Sequence, residues 1–354
     1  MTRTDPAPLL RDTTTDLLPP ARPRALVVMG AEPYRLQFDD ARRARLAELA
    51  DVVDPGWVTS FDDPRVASRL AEVDVLLTGW SAPRVDAGVL ARMPRLRAVL
   101  HCAGSLRPHV SDALWDRGVM VSTSADLNAV PVAEFTYAAI VMAGKKAPFL
   151  AADARRHRGH APREPRGRLG NSGLTIGLVG FSRIGRLVTR LVNQLHDVTC
   201  LVADPYADAA EVAAAGGELV PLAEMLPRLD VLSLHAPALP STRHMIGAAE
   251  LAALPDTATL INTARGSLVD TAALEAECVS GRLHAILDVT DPEPLPPGSP
   301  LYDLPNVMLT PHVAGSLGHE TRRMSDAALD ELERLVQGRP LQRRVHRDEM
   351  ALSA

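Results

Sequence analysis

Three residues in the last third of this 354-residue chain, Arg265, Glu293 and His312, are of the types needed to oxidise a hydroxy acid. The guanidinium of Arg265 can bind a carboxylate through two parallel hydrogen bonds, and the imidazole of His312 can take a proton from a hydroxyl or return it. A carboxylate on the second ring nitrogen, supplied by Glu293, would fix the tautomer of that histidine and stabilise its charged form. Together the three types predict hydride transfer at a carbon that carries a hydroxyl.

Each member of the trio comes just after a short apolar run, and such runs are the elements that must position it. The runs alternate with polar, helix-like segments, which predicts parallel strands joined by helices. Because ligands bind outside the carboxyl ends of parallel strands, polar residues in these places are expected to converge on one crevice. The residues that follow the runs of the second half are Gly180, Asp204, His235, Thr263 with Arg265, Asp288 with Glu293, and His312.

The first half of the chain has a similar alternation, with apolar runs at residues 25–29, 74–79, 96–102 and 119–124. A basic, proline-bearing stretch at residues 155–173 then separates the halves, and we interpret it as a crossover loop between domains. The chain also exceeds the roughly 250 to 300 residues that one core usually supports. Two α/β domains are therefore expected.

The segment between residues 175 and 204 has the order of a dinucleotide-binding motif. An apolar run at residues 175–179 is followed by GFSRIG at residues 180–185, by a segment of helical period, and after a second run by Asp204. This order places a pyrophosphate at the helix N-terminus and the ribose hydroxyls on the carboxylate. The apolar positions of the predicted helix are Ile184, Leu187, Val188, Leu191, Val192 and Leu195.

Two details of this motif bear on the cofactor. Ser182 replaces the middle glycine of the fingerprint; serine is small enough to be accepted there, at some expected cost in cofactor affinity. Asp204 favours NAD over NADP, because a carboxylate repels a 2′-phosphate and no arginine follows until Arg228.

The composition argues against several other classes of protein. A net charge of -5 and a pI of about 6.1 give no reason to expect nucleic acid or an anionic membrane as partner. The apolar run nearest to a membrane span, residues 130–142, is interrupted by Glu134, and the polar residues 1–24 are expected to be a flexible extension rather than a signal peptide. Three scattered cysteines indicate a reducing compartment, and His157 with His160 lacks a third metal ligand. We expect a cytoplasmic protein without a metal site.

Several motifs, taken in order, resemble those of the D-isomer-specific 2-hydroxyacid dehydrogenases, the family of D-3-phosphoglycerate, hydroxypyruvate and glyoxylate reductases. The resemblance extends from about residue 73 to residue 315 and is most specific in the cofactor-binding half. The motifs are GLTIGLVGFSRIGRLV, VADPY, LSLHAPALPSTRHMIG, LINTARGSLVDTAAL, ILDVTDPEP and NVMLTPHVAG.

The resemblance implies a role for each matching residue. Arg265 would bind substrate, His312 would be the acid and base, and Glu293 would pair with it. In the first domain HCAGS resembles the loop whose backbone amides hold the substrate carboxylate, here Ala103, Gly104 and Ser105. The residues implied to contact NAD are Gly180, Ser182, Arg183, Ile184, Gly185, Asp204, His235, Thr242, Thr263, Arg265, Asp288 and His312.

The resemblance also implies a fold and a domain organisation. Two Rossmann-like or flavodoxin-like parallel-sheet domains are expected, with the active site in the cleft between them. A helix at about residues 318–337, with Met324, Leu329, Leu332 and Val336 inward, would return to the first domain, and a homodimer is expected. The expected parts are the extension (1–24), a discontinuous substrate-binding domain (25–129 and 317–340), the NAD-binding domain (130–316) and a tail (341–354).

Two alternatives remain beside a 2-hydroxyacid dehydrogenase. Phosphite-type oxidation on the same fold is one, whereas formate oxidation is disfavoured because formate enzymes carry glutamine where Glu293 stands. The other is an NAD-sensing binding protein resembling the transcriptional corepressors of this fold, which retain the trio. The segment SLRPHVSDAL, at residues 105–114, lacks the Asn/Asp-rich stretch common after the HCAGS-like loop, so the 2-hydroxy acid is not identified.

Overall fold

The computed structural model describes residues 22–53, 56–158 and 166–351, and within them the chain forms two compact units. The first comprises the described residues up to Ala125 together with Thr321–Ala351, and the second is Asp126–Glu320. Each unit has its own sheet, and its described strands pair in parallel. The predicted fold class, α/β with two parallel-sheet domains, is confirmed.

The first unit is built on a sheet of strand order β2-β1-β3-β4-β5 in the described residues. All residues of two interior strands, β3 and β4, are buried, which is typical of parallel strands covered on both faces and explains their largely apolar sequence. The strands are β1 (Arg24–Val28), β2 (Asp51–Val52), β3 (Val75–Thr78), β4 (Ala98–His101) and β5 (Met120–Thr123). The helices are α1 (Ala31–Gln37), α2 (Asp40–Leu49), α3 (Ala87–Arg92), α4 (Ala113–Asp116) and α12 (Arg322–Val336).

The C-terminal helix α12 belongs to the first unit. Its buried apolar stripe follows the prediction except in the last turn, where the buried residue is one position earlier than predicted. Met324, Leu329 and Leu332 are buried as predicted. The inward position in the last turn is Leu335, which is 1% exposed, whereas Val336 is 40% exposed. The prediction for Val336 was wrong because a helix turns by about 100° per residue, and 335 rather than 336 continues the stripe through 328 and 332.

The second unit is built on a sheet of order β12-β11-β10-β9-β6-β7-β8 in the described residues. Its strands are β6 (Leu174–Val179), β7 (Val198–Ala203), β8 (Glu218–Leu219), β9 (Val231–Leu234), β10 (Thr259–Asn262), β11 (His284–Leu287) and β12 (Val307–Leu309). The helices that accompany them are α5 (Ala125–Gly144), α6 (Ala147–His157), α7 (Arg183–Val192), α8 (Ala209–Ala214), α9 (Leu222–Met225), α10 (Ala248–Ala253) and α11 (Thr271–Val279). The two-residue edge strands β2 and β8 were not predicted, because two residues carry no periodicity.

The basic stretch at residues 155–173 does not divide the units. Helix α6 continues through its beginning to His157, and its described residues belong to the second unit together with the chain on either side. The interpretation as a crossover loop between domains was therefore wrong: charge and proline content marked a change of local structure, not a domain boundary. His160 lies outside the described residues, as do residues 1–21 of the predicted extension, whereas Arg24 already begins β1.

Among the residues that the structure describes, one helix, α5, is long and apolar enough to cross a membrane. Half of its most apolar window is buried within the protein, and core helices of soluble proteins satisfy the same criterion.

Three buried histidines are expected to make the folded protein less stable in acid. Burial lowers the pKa of His101, His235 and His284 to about 3 each, below the roughly 6.5 of an unfolded chain. Below pH 6.5 the unfolded chain therefore binds protons that the folded chain does not, so stability present above pH 6.5 is lost as the pH falls towards 3. At pH 5 the loss is roughly 2 kcal/mol for each histidine.

His284 is the best position for a test, because it is 1% exposed and packs against Phe149 with 4.6 Å between ring centroids. Chemical denaturation at pH 7.5 and pH 5.0 gives the free energy of unfolding at each pH. In His284→Leu the decrease in this free energy between the two pH values should be smaller than in the wild type by about 2 kcal/mol. The exposed His196 of the same unit provides the control, as His196→Gln should leave the loss unchanged. Equal losses in all three proteins would contradict the prediction.

Candidate active site

The strand register of the second unit brings the predicted site residues to one edge of the sheet. Val179 of β6 pairs with Ala203 of β7 and Leu234 of β9. Leu234 pairs in turn with Asn262 of β10, Asn262 with Leu287 of β11, and Leu287 with Leu309 of β12. The residues that follow these six strand ends therefore start at one level: Gly180, Asp204, His235, Thr263, Asp288 and Thr310.

The turn between β6 and α7 requires glycine at two of its fingerprint positions. Gly180 has a φ of +97°, and a Cβ on it would lie 2.7 Å from the amide nitrogen of Ala236. A Cβ on Gly185 would lie 2.0 Å from the carbonyl oxygen of Gly180, so glycine there permits α7 to begin directly against the turn. In the described residues the amides of Arg183, Ile184 and Gly185 donate to no protein acceptor, as expected for the first turn of a helix. These features suit a bound pyrophosphate.

Asp204 and Ser182 both stabilise this turn. The Asp204 carboxylate accepts hydrogen bonds from the amides of Phe181 (2.7 Å) and Tyr206 (2.8 Å), which ties the end of β7 to the glycine turn. Ser182 has extended backbone angles that any residue can adopt, and its hydroxyl donates to the carbonyl oxygen of His235 at 3.0 Å. The serine at the middle fingerprint position therefore links two strand ends.

The side chains of other predicted cofactor residues are engaged within the unit. Arg183 forms an exposed ion pair with Asp126 (2.6 Å). The Thr242 hydroxyl donates to the carbonyl oxygen of Pro237 at 2.6 Å and closes the loop after β9. Thr263 shares a 2.7 Å hydrogen bond with Thr136 of α5. These contacts shape the edge of the sheet.

His235, at the end of β9, is 4% exposed and contacts the hydroxyl of Ser233 through Nε2 at 3.1 Å. Its Nδ1 is buried without a hydrogen-bond partner in the described residues. Burial lowers its pKa to about 3 and keeps the ring neutral. A neutral, enclosed imidazole is unsuited to be a second proton carrier near pH 7.

The predicted proton carrier, by contrast, is accessible. The side chain of His312 is 51% exposed, and its Nδ1 lies 2.7 Å from Oε1 of Glu293. A carboxylate on Nδ1 holds the proton there in the neutral ring and leaves Nε2 to act on an external group. The contact brings together two residues that are 19 positions apart in the sequence.

Asp288 anchors the segment that carries His312. One carboxylate oxygen accepts from the Thr310 hydroxyl (2.6 Å) and the Val313 amide (2.8 Å), and the other from the Ala314 amide (2.9 Å). The backbone carbonyl of Asp288 also accepts from the amide of His312 at 3.0 Å. His312 itself has a φ of +54°, a conformation that side chains other than glycine rarely adopt, so these bonds offset local strain.

Arg265 follows β10 and lies close to the same pair. Burial lowers the pKa of Arg265, while the nearby Glu293 carboxylate acts in the opposite direction, so the guanidinium remains charged. One of its nitrogens, Nη1, donates to the carbonyl oxygen of Ala264 at 2.7 Å. The guanidinium has five N–H donors, so others remain for a ligand.

Two further residues that position Arg265 were missed by the sequence analysis. Asn262 bonds the carbonyl oxygen of Arg265 (2.9 Å) and the amide of Ala264 (3.1 Å), which fixes the turn at the end of β10. A Cβ on Gly266 would lie 1.9 Å from the carbonyl oxygen of Thr290, so glycine allows this turn to approach the loop after β11. In the sequence the turn is marked by the tripeptide Ala-Arg-Gly after an apolar run. Only the contact with Thr290 shows why position 266 must be glycine.

The predicted substrate loop belongs to the first unit and follows β4. Ala103 is fully buried, whereas Gly104 and Ser105 are partly exposed. In the described part of the chain the amides of these three residues donate to no protein acceptor. Unpaired backbone donors beside the end of a strand are suited to an anion.

Comparison with known proteins shows which family this chain resembles. Residues 137–314 match the family model described as D-isomer specific 2-hydroxyacid dehydrogenase, NAD binding domain. This match confirms the predicted family and the predicted cofactor, NAD.

Two curated relatives and one solved structure show the same likeness. The chain is 35% identical over 253 residues to glyoxylate reductase from Korarchaeum cryptofilum. The aligned region covers 70% of this chain and 75% of that protein. It is 35% identical over 233 residues to D-3-phosphoglycerate dehydrogenase from Mycobacterium bovis, covering 66% of this chain and 43% of the relative. The chain thus spans less than half the length of that relative. The crystal structure of the TT0316 protein from Thermus thermophilus has a TM-score of 0.73 and 30% identity, covering 91% of this chain and 100% of that one.

Proposed function

Because the chain belongs to the D-isomer specific 2-hydroxyacid dehydrogenase family, we propose that it transfers a hydride between NAD and a small 2-hydroxy or 2-oxo acid. The observation that carries this proposal is the exposed His312–Glu293 pair, joined at 2.7 Å on the edge of the sheet beside Arg265. A proton carrier, its carboxylate partner and a carboxylate-binding cation are the side chains that this reaction requires.

The residues of the fingerprint fit a dinucleotide. We propose that the free amides of Arg183, Ile184 and Gly185 bind its pyrophosphate and that Asp204 binds the adenosine ribose. The glycine turn supports this assignment because backbone can approach a ligand closely there. When bound, NAD supplies the hydride acceptor or, in its reduced form, the hydride donor.

The protein's own residues supply substrate binding and proton transfer. Arg265 of the second unit binds the substrate carboxylate, and in the first unit the amides of the loop at residues 103–105 are assigned to substrate binding. Nε2 of His312 removes the hydroxyl proton during oxidation and returns it to the carbonyl oxygen during reduction. Glu293 stabilises the imidazolium in each direction, and Asp288 holds the segment that carries His312.

The proposal is tested by following NADH and NADPH oxidation against small 2-oxo acids, among them glyoxylate, hydroxypyruvate, and phosphorylated and phosphonate analogues. We expect turnover of at least one acid with NADH preferred, because a carboxylate at the proposed ribose site would repel the 2′-phosphate of NADPH. NADH binding without turnover of any acid would contradict the dehydrogenase and favour the sensor resembling corepressors. Reduction of NAD by phosphite alone would favour phosphite-type oxidation.

Glu293→Gln tests the pairing with His312. The amide still bonds the ring but carries no charge, so it no longer stabilises the imidazolium. We expect kcat for reduction at neutral pH to fall about 10-fold, as for the loss of about 1.4 kcal/mol. Initial rates at saturating NADH and 2-oxo acid measure kcat, and an unchanged value would count against the pairing.

We also propose that the protein is a cytoplasmic homodimer. The support is the family resemblance for the dimer, and the scattered cysteines for a reducing compartment. Analytical ultracentrifugation at micromolar concentration tests the dimer, and a monomer throughout would contradict it.

A further inference from the structure

The loop at residues 103–105 is held by a side chain that lies outside it and outside the proposed reaction. Thr123, the last residue of β5, directs its hydroxyl at the carbonyl oxygens of Gly104 and Ala103, at 2.7 and 3.0 Å. The Ser124 amide donates to the same Ala103 carbonyl at 3.1 Å. Two consecutive loop carbonyls are thus fixed towards the end of β5.

Fixing these carbonyls also fixes the direction of two donors. In a trans peptide the C=O of one residue and the N–H of the next point in opposite directions. The amides of Gly104 and Ser105 therefore point away from Thr123. Both residues are partly exposed, and neither amide has an acceptor among the residues described.

The other side of the loop rests on a rigid support. His101, at the end of β4, is 1% exposed and shares a 2.9 Å hydrogen bond between its Nδ1 and the hydroxyl of Thr78. Its carbonyl accepts from both the amide and the hydroxyl of Ser124, each at 3.1 Å. The ring of His109 packs against its imidazole, with 5.0 Å between centroids. Adjustment of the loop is therefore limited on this side, and its orientation depends on Thr123.

We propose that Thr123 is a positioning residue for substrate binding, whose hydroxyl holds the Ala103 and Gly104 carbonyls so that the Gly104 and Ser105 amides face the substrate carboxylate. The proposal rests on the proposed function, which assigns this loop to the substrate. It adds a determinant that lies outside the loop and outside the Arg265, Glu293 and His312 trio.

Thr123→Val, which keeps the shape and removes the hydroxyl, is the direct test. The Gly104 carbonyl loses its donor, the Ala103 carbonyl keeps only the Ser124 amide, and the loop amides lose their direction, so KM for the best 2-oxo acid should rise about 10-fold. The lost interaction is made to ground state and transition state alike, so kcat should stay within about 2-fold. The Kd for NADH should also be unchanged.

Two further variants separate positioning from packing. Thr123→Ser restores the hydroxyl without the methyl group and should return KM to within about 2-fold of the wild-type value. Ser122→Ala removes a buried hydroxyl that makes no bond to the loop in the described residues, and it should leave KM unchanged. Thermal denaturation of all three variants checks that they are folded.

A KM that stays within 2-fold in Thr123→Val would overturn the inference while leaving the proposed function intact, as would an increase that serine does not reverse. If the wild-type protein turns over no acid, the proposed function fails, and the inference is then decided by binding of oxamate. Oxamate should shift the amide NMR signals of Gly104 and Ser105 in the wild-type protein and not in Thr123→Val. Unshifted signals in the wild-type protein would overturn the inference.

Discussion

His312→Asn is expected to lower kcat for the best 2-oxo acid by about 10³-fold, within the range for loss of a general acid and base. Asparagine keeps a polar group on the segment fixed by Asp288 but cannot carry a proton between Nε2 and the reacting oxygen. The side chain is 51% exposed and contributes one contact to Glu293, so the fold should be preserved. NADH binding, followed by fluorescence, should change by less than about 3-fold.

His319 provides a matched control for this variant. It is an exposed histidine of the same unit, seven positions further along the chain, and His319→Asn should leave kcat unchanged. Retention of more than a tenth of the wild-type kcat in His312→Asn would exclude His312 as the proton carrier.

Replacing Arg265 by methionine should raise KM for the 2-oxo acid by about 100-fold, corresponding to roughly 3 kcal/mol for charge-assisted hydrogen bonds to a carboxylate. A fall in kcat should accompany the rise if the guanidinium also polarises the reacting carbonyl. Arg265→Lys keeps the charge but not the planar fork, so an intermediate KM is expected. Initial rates over a range of acid concentrations at saturating NADH measure both effects.

The control for Arg265 is Arg243→Met, which removes an exposed guanidinium paired with Asp291 at 3.1 Å in the same unit. That variant should behave as the wild type. Unchanged kinetics of Arg265→Met on every acid that the wild type reduces would remove Arg265 from the substrate site.

The strands of the molecule were largely predictable, and the reason is physical. Parallel strands covered on both faces must be apolar at nearly every position, so runs such as residues 258–262 and 284–289 mark strands without an alignment. Most predicted runs extend one or two residues beyond the observed strands, as around Thr259–Asn262, whereas the runs at 25–29 and 175–179 begin one residue after β1 and β6 do. Helix α6 was hidden by the arginines of its last turn, whose exposed side chains resemble those of a loop.

The residue types of the candidate site were predicted, but the hydrogen bonds and contacts that hold them in place were not. Each position after a strand could be found because strand ends meet at one edge. That the Asp288 carboxylate accepts three hydrogen bonds from the His312 segment could not be found, since its partners lie 22 to 26 positions away. The close approach of Gly266 to Thr290 and the hydrogen bonds of the Thr123 hydroxyl to the loop at residues 103–105 were hidden for the same reason.

The sequence by itself determined the family, the alternation of strands and helices, the dinucleotide motif and the identity of Arg265, Glu293 and His312, because these depend on residue type and local spacing. Only the tertiary structure decided that His312 bonds Glu293, that Asp288 bonds the His312 segment, and that the Thr123 hydroxyl bonds the loop at residues 103–105. Hydrogen bonds act over about 3 Å and depend on direction. Residues distant in sequence reach that separation only when the strands are in register.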